Sequence, residues 1–283
     1  MIYFSSDFHL GSTLINKYAH RPWLTAHEAA GDIIDFVNET CKSDDILIHC
    51  GDFSLQSIDN HGIDKDVPMK RDINEWCWAF LPQLVLLQGN HDEDTSHIVA
   101  KNMTIDLSPT WRNVYVSHYP SDHEKYHGPC SIIRSWTSNP TGNQIHFYQE
   151  HYSFEDIQAK NIKRPVVALC GHVHDSWLIK FDASKGVLNI NVGLDVWGLK
   201  PVSSIQLVKL LEFIKTQRVQ KLNQSFTWTR SNLERRMDEN DRQVKNDRIA
   251  RKLEKHLKKG LTPEECLRRK QAALAAKKIR AYI

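Results

Sequence analysis

Five short motifs stand in a fixed order along the first 174 residues: Asp7-Phe8-His9, Gly51-Asp52, Gly89-Asn90-His91-Asp92, Ser117-His118 and Gly171-His172-Val173-His174. Their side chains offer carboxylate oxygens, an amide oxygen and imidazole nitrogens. Such donors suit Mn²⁺, Fe or Zn²⁺ better than Ca²⁺. No thiolate stands among them, which excludes a cysteine-rich structural zinc site. If the fold gathers these groups into one cluster, the cluster can hold two divalent metals side by side.

The elements that would gather them are legible. Each motif ends an apolar run that reads as a strand: about 2–6, 45–50, 84–88, 114–117 and 166–170. Asp7 and His9 are two apart, so as strand residues they would share a face. A Gly precedes Asp52, Asn90 and His172, which leaves space where backbone must approach an ion or a substrate. Thr25 reads as the N-cap of a helix over about 26–41, with Glu28 three residues on completing a capping box. A second helix is expected around 70–80, and 178–181 with 187–191 read as a closing β-meander. Continuous apolar runs mean strands covered on both faces, hence helices outside a layered sheet.

The chain has 283 residues and a net charge of only +3, but the charge is unevenly placed. From Phe213 onward there are 20 Lys and Arg against 8 Asp and Glu, a balance of +12, whereas residues 1–212 carry 17 against 26, a balance of −9. The expected organisation is therefore a domain over 1–212 and a basic helical extension over 213–283, the latter suited to an acidic partner such as nucleic acid. Leu233, Met237, Val244, Ile249, Leu253 and Leu257 give the extension a narrow helical stripe, and Thr262-Pro263 starts a further helix after Gly260. Residues 120–165 are polar, aromatic and His-rich, too long for a plain connection, and read as an insert or lid. No apolar run approaches the roughly 18–20 residues of a membrane span. The chain enters a strand from Met1 with no basic leader, and its six cysteines form no C-x-x-C pair, so the expected compartment is the reducing cytoplasm without disulfides. Oligomeric state is left open.

Taken together, Asp7-x-His9, Gly51-Asp52, Gly89-Asn90-His91-Asp92, His118 and Gly171-His172-x-His174 resemble the signature blocks of the calcineurin-like metallophosphoesterase superfamily, all present in order over roughly residues 1–200. The resemblance implies an α/β fold, a four-layer α-β-β-α sandwich of two mixed sheets flanked by helices. It implies that Asp7, His9 and His174 bind one metal, that Asp52 bridges two, and that Asn90, His118 and His172 bind the second. His91 would be no ligand but would face the substrate phosphate and the leaving oxygen. The cofactor expected is a pair of divalent ions, Mn²⁺ first, with Fe, Zn²⁺ and Ni²⁺ as alternatives. Two such ions about 3.5–4 Å apart neutralise a phosphate ester, and a bridging hydroxide between them attacks in line.

Several branches of the superfamily fit poorly. Phosphoprotein phosphatases show Asp-Arg-Gly after the second block and Gly-Asn-His-Glu in the third. UDP-diacylglucosamine hydrolases place Arg where His91 stands, and double-strand-break nucleases often place His where Leu55 stands. Arg21-Pro22-Trp23, Arg134-Ser135-Trp136 and Asn191-Val192-Gly193-Leu194-Asp195-Val196-Trp197 are similar to a small bacterial and phage branch, although the long insert and basic tail depart from it. A phage-encoded chain would work in the host cytoplasm. The expected function is hydrolysis of phosphodiesters in nucleotides or nucleic acid. The alternatives are a phosphomonoesterase acting on phosphoprotein or a small phosphate, and a nucleic-acid or partner-binding protein with little turnover. Arg21 and Arg134 are candidate grips on a substrate phosphate through paired N–H donors. Asp92 is read as either an orienting group or a loop cap, and Asp195 and Trp197 as braces of the loop after the last strand.

Overall fold

A computed structural model describes residues 1–54, 73–92, 96–124, 130–139, 142–152, 166–216 and 225–239, with the backbone alone for 130–139 and 142–152. By internal contacts the chain divides into Met1–Arg230 and Ser231–Ile283. Of the second unit only 231–239 are described, and they are helical. The rest of the stripe expected along the basic extension, and the helix expected after Thr262, lie outside the described residues.

The first unit is built on two mixed sheets with flanking helices, the α/β architecture expected. Its first sheet contains β1 (Ile2–Ser5), β2 (Ile46–His49), β3 (Gln83–Leu87) and β4 (Ile98–Ala100), all parallel. The short strand Val202–Ser203 closes that sheet antiparallel to β1, with Tyr3 opposite Ser203. The second sheet holds β5 (Asn102–Ile105), β6 (Val114–Ser117), β7 (Cys130–Asn139), β8 (Gly142–Tyr152), β9 (Val166–Cys170), β10 (Ile179–Asp182) and β11 (Val187–Asn191). Phe226–Trp228 adds an edge strand beside β10. Strands β6 and β11 both run parallel to β9, in registers that set Val116 beside Leu169 and Asn191 beside Cys170.

The helix expected after Thr25 spans Ala26–Thr40, and its capping box is complete: Glu28 N–H donates to Thr25 Oγ1 at 3.1 Å and Thr25 N–H to Glu28 Oε2 at 3.2 Å. Ala26, Ala29, Ala30, Ile33 and Val37 recur at helical spacing and are buried, most of them in a core with Phe8, Leu10, Leu47, Phe53, Trp76, Phe80 and Leu86. The helix expected near 70–80 is described over Ile73–Trp78. A helix not anticipated in the sequence, Ser204–Thr216, buries Leu207, Leu210, Leu211 and Ile214 and runs through the expected boundary at 212. Residues 120–165 contain β7 and β8, an antiparallel pair that extends the second sheet from β5. Among the described residues no helix is long and apolar enough to cross a membrane.

Candidate metal centre

Every motif sits just past the carboxyl end of a strand. Asp7 and His9 follow β1, Asp52 follows β2, Asn90 and His91 follow β3, His118 follows β6, and His172 and His174 follow β9. β1, β2 and β3 are parallel in one sheet, as are β6 and β9 in the other, so the loops of both sheets open at one place. Carboxyl ends of parallel strands are where open α/β sheets form binding crevices. Contacts between the sheets close the join: His172 N–H donates to Asp7 Oδ2 at 3.0 Å, and Leu194 N–H to Ser6 O at 3.2 Å.

Strand alternation does not aim Asp7 and His9, because β1 ends at Ser5. Both residues instead adopt left-handed backbone, φ 61° and 50°, as do Asp52 at 56°, His172 at 70° and His174 at 47°. Non-glycine residues rarely take this conformation, and each costs on the order of 1–3 kcal/mol. Five of the eight such positions among the described residues are expected ligands, and they mark a backbone bent to converge side chains. The two bends after β1 and β2 hold one another: Asp7 N–H donates to Gly51 O and His9 N–H to Asp52 O, each at 3.0 Å. Two glycines permit the closest approaches. A Cβ on Gly89 would collide with Asp52 Oδ1, and one on Gly171 with Ser6 Oγ and Asp7 Oδ2.

The gathered donors form three overlapping groups, each able in geometry to hold a metal ion: Asp7, His9 and His174; His9, Asp52 and His91; and Asp52, His118 and His172. Asp52 Oδ2 lies 3.5 Å from His9 Nε2 and 3.3 Å from His118 Nε2. Asn90 Oδ1 lies 2.9 Å from His118 Nε2 and 3.0 Å from His172 Nδ1. Donors bound about 2.1 Å from one ion at right angles stand about 3 Å apart, so these spacings suit ligands of a shared cation. The donor set itself asks for positive charge. Asp7 and Asp52 are buried carboxylates 4.0 and 3.5 Å from His9 Nε2, which is itself buried with no hydrogen-bond partner. Buried charges and orphaned nitrogens of this kind are costly unless a cation meets them.

Protonation among these groups follows from burial and mutual charge. Burial pushes the Asp7 carboxyl up, although His118 and His174 pull the other way. Asp52 is held low despite its burial, because His118 hydrogen-bonds it and His118 and His9 lend positive charge. His118 is correspondingly pushed up to about 9, against its own burial, by Asp52 and Asp7. Burial lowers His9, and burial with the charge of His118 lowers His172 to about 4. His9 and His172 are thus held neutral, the form that binds metal, whereas His174, like His118, is pushed up against its own burial, by its hydrogen bond to Asp195 and the charge of Asp7.

His91 is exposed at the mouth, with its ring 5.2 Å from that of His9 and its N–H donating to Asp52 Oδ1 at 2.8 Å. Asp92 is neither ligand nor simple cap. Its carboxylate accepts from the N–H groups of Asp52, Phe53 and Gly89 at 2.6, 2.9 and 2.8 Å and so ties the second motif to the third. Arg21 is corrected from a substrate grip. Its side chain is 1% exposed, and its guanidinium is committed to Asp195 and to the backbone carbonyls of Asp7 and Phe8. The side chain of Arg134, on β7, lies outside the described residues, as do those of the aromatic and histidine residues of 125–165. Sequence reasoning did not single out Asn191 as a support. Its side-chain amide donates to His174 O and Trp177 O at 2.7 and 2.9 Å and accepts from Gly193 N–H at 2.7 Å, fixing the two loops that follow β9 and β11.

No family model matches the chain, and no curated protein matches it. Among solved structures, AQ665 from Aquifex aeolicus, described as a protein of unknown function, is similar: 20% identical, over 74% of this chain and 98% of that one, with a TM-score of 0.46.

Proposed function

We propose that this protein is a dinuclear metal-dependent phosphoesterase. The single observation that carries the reading is that Asp7, His9 and His174 form one potential metal group, Asp52, His118 and His172 another, and that Asp52 stands between them, 3.5 Å from His9 and 3.3 Å from His118. The resemblance of the five motifs to calcineurin-like metallophosphoesterases supports it. Two divalent cations, Mn²⁺ foremost, would supply Lewis acidity toward phosphoryl oxygens and acidify water there.

The chain's own groups do the rest. Asp52, whose Oδ2 lies within reach of both histidine sets, would contribute its carboxylate to the donor sets of both ions. Asn90 gives an amide oxygen without further negative charge, which would repel a phosphate. His91, exposed and beside His9, is placed to donate a proton to the departing oxygen or a hydrogen bond to an equatorial one. Phosphodiesters of nucleotides or nucleic acid are the preferred substrate class, because the basic residues from 213 onward would draw a polyanion.

Hydrolysis of bis-p-nitrophenyl phosphate with Mn²⁺ tests the reading, alongside p-nitrophenyl phosphate to separate diester from monoester preference. Asp52→Asn should abolish turnover. His91→Ala should retain Mn²⁺ and lose 10²-fold or more in kcat, the usual scale of a general acid. Turnover by both variants at the parent's rate would refute the assigned roles.

A further inference from the structure

Two sequence features are left unused by that reading, Arg21-Pro22-Trp23 and the loop Asn191–Trp197, and the fold joins them. Arg21 Nε donates to Asp195 Oδ1 at 2.7 Å and Nη2 to Oδ2 at 3.1 Å, a two-pronged pair with side chains 1% and 2% exposed. The same guanidinium donates from Nη1 to Phe8 O at 3.0 Å and from Nη2 to Asp7 O at 2.5 Å. Asp195 Oδ2 also meets His174 Nδ1 at 3.0 Å. One ion pair therefore grips the backbone under Asp7 and the imidazole of His174, ligands that come from different sheets.

The chemistry fixes the tautomer. Asp195 faces the Arg21 guanidinium through both of its oxygens, and Oδ2 is shared with His174 Nδ1. A carboxylate only accepts, so His174 carries its hydrogen on Nδ1 and keeps the Nε2 lone pair for a cation shared with Asp7 and His9. The other group lacks such backing among the described residues. His118 Nδ1 meets the backbone carbonyl of Cys50 at 3.0 Å, and His172 is flanked by the rings of Tyr119 and His123, each 5.0 Å away. A carboxylate behind an imidazole raises its basicity and locks its orientation, and losing such a partner typically costs about 10–100-fold in metal affinity.

We infer that Arg21 and Asp195 are positioning residues for the Asp7, His9 and His174 group, and that they make it the tighter of two cation sites. The inference rests on the two-cation reading above. Calorimetric titration of the full chain with Mn²⁺ alone tests it, in two backgrounds: His172→Ala, which leaves the first group intact, and His9→Ala, which leaves the second. In the first background Asp195→Asn and Asp195→Ala should weaken Mn²⁺ binding about 10–100-fold, and Arg21→Lys, which keeps the charge but loses the fork, should weaken it less. In the second background none of them should change affinity by more than about twofold. The near-isosteric Asn variant carries the test if the Ala variant fails to fold, which far-ultraviolet circular dichroism reports. Equal losses in both backgrounds would reveal a general brace and overturn the inference, as would no loss in either. Absence of Mn²⁺ uptake by the unsubstituted chain would instead overturn the two-cation reading, and this inference with it.

Discussion

His49, the last residue of β2, gives a prediction whose size can be worked out. It is fully buried, with its ring edge-on to Phe8 at 4.3 Å and to Phe53 at 5.2 Å, and neither ring nitrogen has a partner. Burial pushes its pKa from the ordinary 6.5 down to about 3, with the charge of Asp52 opposing. The unfolded chain therefore binds a proton below pH 6.5 that the folded chain refuses until about pH 3. The stability His49 allows is complete above pH 6.5 and is lost as pH falls through that window. At pH 5.0, 1.5 units below 6.5, the loss is about 2 kcal/mol at roughly 1.36 kcal/mol per unit, while at pH 7.5 it is close to zero. His49→Leu fills a similar volume and cannot titrate. Urea unfolding of parent and variant with EDTA present, followed by tryptophan fluorescence at pH 7.5 and 5.0, isolates this group, because all others titrate in both proteins. The stability difference should move by about 2 kcal/mol in favour of the Leu protein on acidification. A difference that does not change with pH would mean that His49 is protonated or partnered in the fold, and the reasoning would fail.

Other outcomes follow from the same contacts. Gly89→Ala should abolish Mn²⁺ binding measured by calorimetry, since the added Cβ takes the space of Asp52 Oδ1. Asp92→Ala removes the acceptor shared by four backbone N–H groups and should cost on the order of 3 kcal/mol in urea unfolding while weakening Mn²⁺ binding. Thr25→Ala deletes the N-cap of Ala26–Thr40 and should cost about 1 kcal/mol by the same assay, without changing metal affinity. Removal of residues 231–283 should weaken filter binding of single-stranded RNA or DNA and flatten its salt dependence, and an unchanged affinity would remove the basic segment from substrate capture.

The sequence by itself determined what local repetition can carry. Apolar runs announced β1, β2, β3, β6, β9, β10 and β11, and Thr25 with Glu28 announced a helix start, because strand burial and capping depend on residues one to four apart. The order of the five motifs named the donors that the fold brings together. It did not announce β4 or the edge strands at Val202–Ser203 and Phe226–Trp228, which run only two or three residues, nor β5, where Asn102 and Thr104 interrupt the apolar run. Nor could it say how the donors are aimed. Asp7 and His9 converge through left-handed turns rather than strand alternation, and those turns persist because Gly51 and Asp52, more than forty residues on, hold their N–H groups. Arg21 read as a hand for substrate and is a clamp, since its partner Asp195 lies 174 residues away and leaves no mark near it in the chain. Contacts within a few residues are written as spacing. Contacts between sheets exist only once the chain has closed, and those decide which polar side chains face an ion and which stand behind it.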